Sequence, residues 1–269
     1  VGVRYQNISV DNETAAVYGE EPFLLPHVGL AVERTTDVAT TYAMVDYQIN
    51  LDGMVGTDSD QIVQLGRTDA EADFSLIRWH VSQSVYLEPL INHKAWSDPS
   101  TPGSSTLAHE LALSFRGQHS LGSRLPPQFE GVVGGLYTVR GYDESIASGD
   151  TTMIFTAEYR FHLPRIFPID PQPYDHAFFG KPFRWAPQEV YGRPDWDLIL
   201  RGFVDVGKTT IEEAKVGEID ETLIGAGAGV ELLLRRNVRL RADWGYALEE
   251  AGRVEEGDSR LHFVGTLLY

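Results

Sequence analysis

"TTMIFTAEYRFHL", residues 151–163, alternates with a period of two. Met153, Phe155, Ala157, Tyr159, Phe161 and Leu163 fall on one face. Thr152, Ile154, Thr156, Glu158, Arg160 and His162 fall on the other. Successive side chains of a strand point to opposite sides, so the pattern predicts a strand with one apolar and one polar face. The pattern returns at 196–206, where Trp196, Leu198, Leu200, Gly202, Val204 and Val206 oppose Asp197, Ile199, Arg201, Phe203 and Asp205. It returns again at 238–248, where Val238, Leu240, Ala242, Trp244, Tyr246 and Leu248 oppose Arg239, Arg241, Asp243, Gly245 and Ala247.

Helical periodicity is nearly absent, and the chain reads as all-β. About ten strands are predicted, at roughly 2–10, 26–35, 40–52, 72–90, 106–118, 151–163, 195–207, 222–235, 237–248 and 259–269. Several exceed the usual soluble strand of about 5–6 residues. They suit a tilted strand crossing a bilayer, which needs about 9–11. Residues 235–237 read as a tight turn, while 208–221 and 249–258 are longer, acidic and polar. Short turns on one side and long loops on the other describe a transmembrane antiparallel β-barrel. Alternation alone also fits a soluble sandwich, whose polar face meets water. Strand length, turn asymmetry and aromatics at strand ends (Trp196, Trp244, Tyr246, Tyr269) favour the barrel.

Composition narrows the partners. The formal net charge of -17 argues against nucleic acid. The chain has no cysteine, so it holds neither a disulfide framework nor a thiolate zinc site. No apolar run is long enough for a transmembrane helix. The chain opens at Val1 with no signal-like apolar segment and reads as a fragment or a mature piece.

The stretch before the first quoted strand, "GGLYTVRGYDESIASGD" at 134–150, fits neither a regular strand nor a helix. An arginine in such a glycine-rich loop is most often a solvated turn charge. Val139-Arg140-Gly141-Tyr142, however, resembles the VRG(F/Y) signature of the outer-membrane assembly and two-partner secretion barrels, the superfamily containing BamA, TamA and FhaC. Asp143-Glu144 and then Gly149-Asp150 before a strand are most similar to the ShlB/FhaC/HecB branch. Three further elements follow in order: Glu158 and Arg160 in the next strand, Phe203-Val204-Asp205-Val206-Gly207 as the F-x-D-x-G strand, and 225–229 (GAGAG) followed by Asp243-Trp244-Gly245-Tyr246. The resemblance covers about 106–269; residues 1–105 fit only as generic barrel strands.

The resemblance implies that 119–150 is an extracellular loop folded back into the barrel, with its arginine against acids of the inner wall. Alternation independently puts Asp205 and Glu158 on the polar face, so Arg140 is expected to pair with Asp205, with Glu158 as second partner and Phe203 and Gly207 beside them. Losing one partner of a dry pair costs about 3–5 kcal/mol. In a wet lumen about 0–1 kcal/mol is expected. The implied function is passage of an unfolded client protein across the bacterial outer membrane without nucleotide. The implied partners are outer-membrane lipid, a secreted or outer-membrane client, and POTRA domains upstream in the same chain. The implied barrel has sixteen strands, so this chain would be its C-terminal portion. A BamA/TamA-like insertase uses the same signature; a passive porin would not need it.

Other readings of the residues point to no enzyme, cofactor or metal. The glycines at 225, 227 and 229 lack the lysine and helix of a phosphate-cradling loop. They read instead as leaving one strand face empty so that something packs there. His109 and Glu110 are strand neighbours on opposite faces. His80 and His162 share the inward face, and His119 and His176 read as loop residues. The pairs Glu212-Glu213 and Glu255-Glu256 read as solvated charge. A soluble all-β carbohydrate-active enzyme is the competing class, but no acid pair stands out for glycoside hydrolysis. The proline- and aromatic-rich stretch 164–194 replaces an expected short turn. It reads as a packed elaboration, or as a plug or docking surface facing the periplasm.

Overall fold

The structure, a computed structural model, describes residues 1–12, 17–51, 53, 55, 57, 59–98, 107–167, 177–178, 181–182, 195–235 and 237–268. Fourteen strands are found among these residues. Ten long ones are β1 (Gly2–Asn12), β2 (Val17–Thr35), β3 (Ala39–Asn50), β4 (Phe74–Tyr86), β5 (His109–His119), β8 (Thr151–His162), β11 (Trp196–Thr210), β12 (Thr222–Leu234), β13 (Val238–Ala247) and β14 (Ser259–Leu267). They form one sheet in which each long strand pairs antiparallel with the next along the chain. Two small hairpins stand apart: β6 (Gly131–Val133) with β7 (Ala147–Gly149), and β9 (Ala177–Phe178) with β10 (Lys181–Pro182).

The sheet is inside out by the standards of a soluble protein. In β11, Leu200 and Val204 are 46% and 44% exposed, while the residues that follow them, Arg201 and Asp205, are 4% and 0% exposed. Val45, Val81, Phe115, Phe155 and Trp244 continue the exposed apolar band across neighbouring strands. Water would penalise such a band, whereas hydrocarbon accepts it. A soluble sandwich would need the charged face outward and the apolar face covered by a second sheet. The only other sheets among the described residues are the two hairpins.

Connections lie at two ends. Those after β3, β5, β11 and β13 leave from one end of the sheet; those after β2, β4, β8 and β12 leave from the other. The turn at 36–38 is tight, with Thr36 N–H donating to the Ala39 carbonyl at 2.8 Å. The turn at 235–237 is equally tight, with Asn237 N–H donating to the Leu234 carbonyl at 3.2 Å. The expected rule of short turns therefore holds for only two of these four. The predicted strand at 72–90 stops at Tyr86, and a short helix at Glu88–Ile91 follows. There the Glu88 carboxylate accepts from the N–H groups of Ala108 and His109 at 2.6 and 2.8 Å, closing the connection on itself. Of the predicted insertion 164–194, a single turn after β8 and the β9–β10 hairpin are described; the rest lies outside the described residues, as does Tyr269. The loop at 119–150 is also more regular than its sequence predicts, because β6 and β7 pair at its base and His119 belongs to β5.

Two apolar clusters lie inside the curve of the sheet. One joins Ile8, Phe23, Leu25, Phe74 and Leu76 of the wall to Ile62, Leu65, Ala70, Ala72, Leu125 and Phe129 of loops. The other joins Val133, Val139, Tyr142 and Ala147 of the long loop to Ile154, Leu223 and Ala247 of the wall. No helix among the described residues is long and apolar enough to cross a membrane.

Candidate functional site

The loop between β5 and β8 turns inward on glycines at positive φ: Gly134 at 114°, Gly135 at 97° and Gly141 at 102°. A side chain is rarely accommodated there, so these turns need glycine. The chain thereby carries Val139, Arg140, Gly141 and Tyr142 onto the inner wall, where all four are buried. Arg140 grips Asp205 with a fork, Nε donating to Oδ2 at 2.7 Å and Nη2 to Oδ1 at 2.9 Å. Its backbone N–H donates to the same carboxylate at 3.1 Å. Nη1 reaches Glu158 at 2.7 Å and Asp243 at 3.2 Å. The guanidinium lies 3.4 Å from the centroid of the Phe203 ring, a cation–π position. Burial opposes the charge on Arg140, but the bonds and charges of Asp205 and Glu158 outweigh it and hold its pKa above the ordinary arginine value.

The wall supplies a wider network. Arg201 bonds Asp243 and lies 3.5 Å from Glu158 and 3.8 Å from Glu231. Arg160 bonds Glu158 at 2.6 Å, and Arg241 bonds Asp243 at 2.6 Å. Four arginines thus balance the carboxylates of Glu158, Asp205, Asp243 and Glu231, which is what makes such burial tolerable. Arg116 donates to the Tyr137 carbonyl just before the tip. Asp243 is a central member that the sequence reading placed only on the correct face.

Glycines open the wall where the tip lands. The Arg140 carbonyl occupies the space that a Cβ at Gly225 would fill, and Val133 and Val139 fill the space over Gly207. A Cβ at Gly245 would lie 2.6 Å from the Gly141 nitrogen. The Gly141 N–H donates to His262 Nε2 at 3.3 Å. Beside it, the Tyr142 hydroxyl donates to the carbonyls of Glu249 and Ile224 at 2.7 and 3.0 Å, and burial pushes its pKa up.

A second set of ion pairs, not anticipated from the sequence, ties loops at the same end. Arg67 forks onto Asp150 at 2.6 and 2.9 Å and meets Glu130 at 2.7 Å. Arg124 forks onto Glu218 at 2.7 and 2.9 Å. The hydrogen bonds from Arg124, then the Lys215 N–H, hold the Glu218 carboxyl at about 2, below its ordinary value. A carboxylate with a depressed folded pKa contributes its full stabilisation above the unfolded pKa and loses it as pH falls through the folded one. Protease sensitivity of 211–221 is therefore expected to stay flat from pH 7 to about 4.5 and to rise only toward about pH 2. A rise already complete at pH 4.5 would contradict the pairing.

The histidines separate. His109 points outward to the Tyr159 hydroxyl at 2.5 Å, while Glu110 points inward. His162 bridges Asp197 at 2.7 Å and Glu110 at 2.9 Å, whereas His80 faces Ser114 at 3.3 Å, so these two inward histidines do not meet. His119 ends β5 instead of lying in a loop, with Nδ1 2.8 Å from Thr151 Oγ1. His176 lies outside the described residues. Among the described residues no group of three His, Asp or Glu has metal-binding geometry.

No family model and no curated protein matches this sequence. Its fold is shared by solved structures, CdiB proteins among them. CdiB from Escherichia coli aligns with a TM-score of 0.61 at 14% identity, over 93% of this chain and 38% of its own length. CdiB from Acinetobacter baumannii aligns with a TM-score of 0.58 at 16% identity, over 98% of this chain and 37% of its own. The chain thus spans less than two fifths of the CdiB chains it matches. What it shares with them is the fold of a transmembrane antiparallel β-barrel, to which it contributes a ten-stranded wall.

Proposed function

We propose that this chain is the C-terminal wall of an outer-membrane pore that passes an unfolded client polypeptide, of the two-partner secretion (ShlB/FhaC/HecB) type. The observation that carries the reading is Arg140, delivered by a loop to a buried carboxylate cluster on the inner face of a sheet whose outer face is apolar. CdiB is itself a two-partner secretion transporter, and its fold agreement supports a protein-transporting pore of the outer membrane. Outer-membrane lipid covers the exposed apolar band. POTRA domains receive the client, and the sheet is part of a sixteen-strand barrel. The anchored loop holds the resting pore shut, and no nucleotide, cofactor or metal is required.

Planar-bilayer conductance of the full-length parent tests this reading. Fluctuating channels are expected from the wild type, with longer or more frequent openings in Arg140→Ala. Protein that stays soluble without detergent and never inserts would overturn the membrane reading. A parent that inserts outer-membrane proteins into vesicles but secretes no client would favour the BamA/TamA-like insertase.

A further inference from the structure

The inner face of the wall changes character along its length. Along β4 the inward positions run from Phe74 and Leu76 at the long-loop end to Arg78, His80, Ser82 and Ser84 toward the other. Ile8 of β1 and Phe23 and Leu25 of β2 extend the apolar part sideways. A water-filled mouth gains nothing from such a lining. The lining is instead covered by residues 62–72, whose Ile62, Leu65, Ala70 and Ala72 are all buried against it. Phe129 of the long loop completes the packing, with its ring 5.0 Å from Phe23 and 4.9 Å from Phe74.

This segment is fastened to the inward-folded loop rather than to the wall alone. Arg67 stands in its middle, with its side chain 6% exposed, and forks onto Asp150, which is fully buried at the other end of that loop. Arg67 also donates to the Leu125 carbonyl at 2.7 Å, and Arg124 donates to the Thr68 carbonyl at 2.9 Å. Glu71 N–H donates to the Arg124 carbonyl at 2.8 Å. These bonds join residues 62–72 to both roots of that loop, at 124–130 and at Asp150, across long sequence separations.

We propose that residues 62–72 are a second closure of the pore, seated on the apolar lining of β1, β2 and β4 and latched to the inward-folded loop through Arg67. This rests on the transport reading above. Withdrawal of the Arg140 loop then carries the segment off its seat, and one movement clears both obstacles. The apolar lining it leaves behind faces the passing client, whose unfolded chain exposes apolar side chains.

The chain has no cysteine, so one introduced thiol reports on one place. Ile62→Cys, in a full-length parent otherwise free of cysteine, is probed with a membrane-impermeant maleimide, and Leu65→Cys serves as the second position. Both sites are expected to be protected at rest. Labelling is expected to rise roughly tenfold or more when Arg67→Ala is added, because the latch sets the local opening equilibrium. It is also expected to rise during client passage. Unchanged protection at both sites in Arg67→Ala, or protection maintained while client passes, would overturn the proposal. A wild-type parent that passes no polypeptide would defeat the transport reading; the labelling of Arg67→Ala still decides whether the segment is latched.

Discussion

Arg140→Ala is expected to lower the unfolding stability of the barrel in detergent by about 3–5 kcal/mol, the cost of breaking a buried ion pair by removing one partner. The low alternative, about 0–1 kcal/mol for a wet pair, is set aside by the burial of both side chains, at 3% and 1% exposure. Not every carboxylate of the cluster suffers equally. Glu158 keeps Arg160 and Arg201, and Asp243 keeps Arg201 and Arg241. Asp205 differs, because among the described residues the hydrogen bonds to its carboxylate all come from Arg140. Only the backbone N–H would remain. The penalty is therefore an Asp205 left with one backbone N–H and the charge of Arg116, and the double variant Arg140→Ala/Asp205→Ala is expected to recover much of it. Arg140→Lys keeps the charge but not the fork and should fall between. The midpoint of urea or heat unfolding of the full-length parent measures all three. A midpoint for Arg140→Ala within error of wild type would show that the pair is worth little and the burial misleading.

How much of this was legible follows from the physics of each part. Alternation exposed β8, β11 and β13 because their outer face meets an apolar medium and their inner face a polar one. It put Asp205 and Glu158 on the inner face, and ordered motifs connected them to Arg140. The same rule failed at the start of β2, which begins at Val17 rather than near residue 26. There Phe23 and Leu25 point inward onto the seated loop while Leu24 points out, so both faces are apolar in part and the period disappears. Arg67 and Arg124 were illegible for another reason. Each stands in a polar loop with no periodicity, and its partner lies far along the chain. A lone loop arginine and a lone loop acid read as solvated charges until the fold puts them together. The short helix after Tyr86 was missed because the outward apolar positions of β4, Val81 and Val85, run on at the same period of two into Leu87 and Ile91.

A single methyl group should distinguish the site from the scaffold. Gly202 and Gly245 both lie in the sheet, on strands β11 and β13. A Cβ at Gly202 meets nothing within 4 Å, since it would point outward into the apolar band. Gly202→Ala is expected to be neutral or slightly stabilising, because alanine loses less chain entropy than glycine on folding. A Cβ at Gly245 would lie 2.6 Å from the Gly141 nitrogen and 2.8 Å from the Arg140 carbonyl carbon. Both are backbone atoms, and neither side has a flexible end that could move aside. The wall is held by its ladder to β12 and β14, so the loop must give. Gly245→Ala is therefore expected to cost about 1–3 kcal/mol, the usual price of overpacking, concentrated in the seating of the loop tip. The sheet should still form, while cleavage within 134–146 by added protease rises and the channel of the full-length parent opens more often. Equal protease resistance in Gly202→Ala and Gly245→Ala would mean that the tip does not rest on the wall. The contrast is informative because the two substitutions are chemically identical, so propensity and side-chain entropy cancel. What remains is whether the inner face of β13 is empty for its own sake or for the loop.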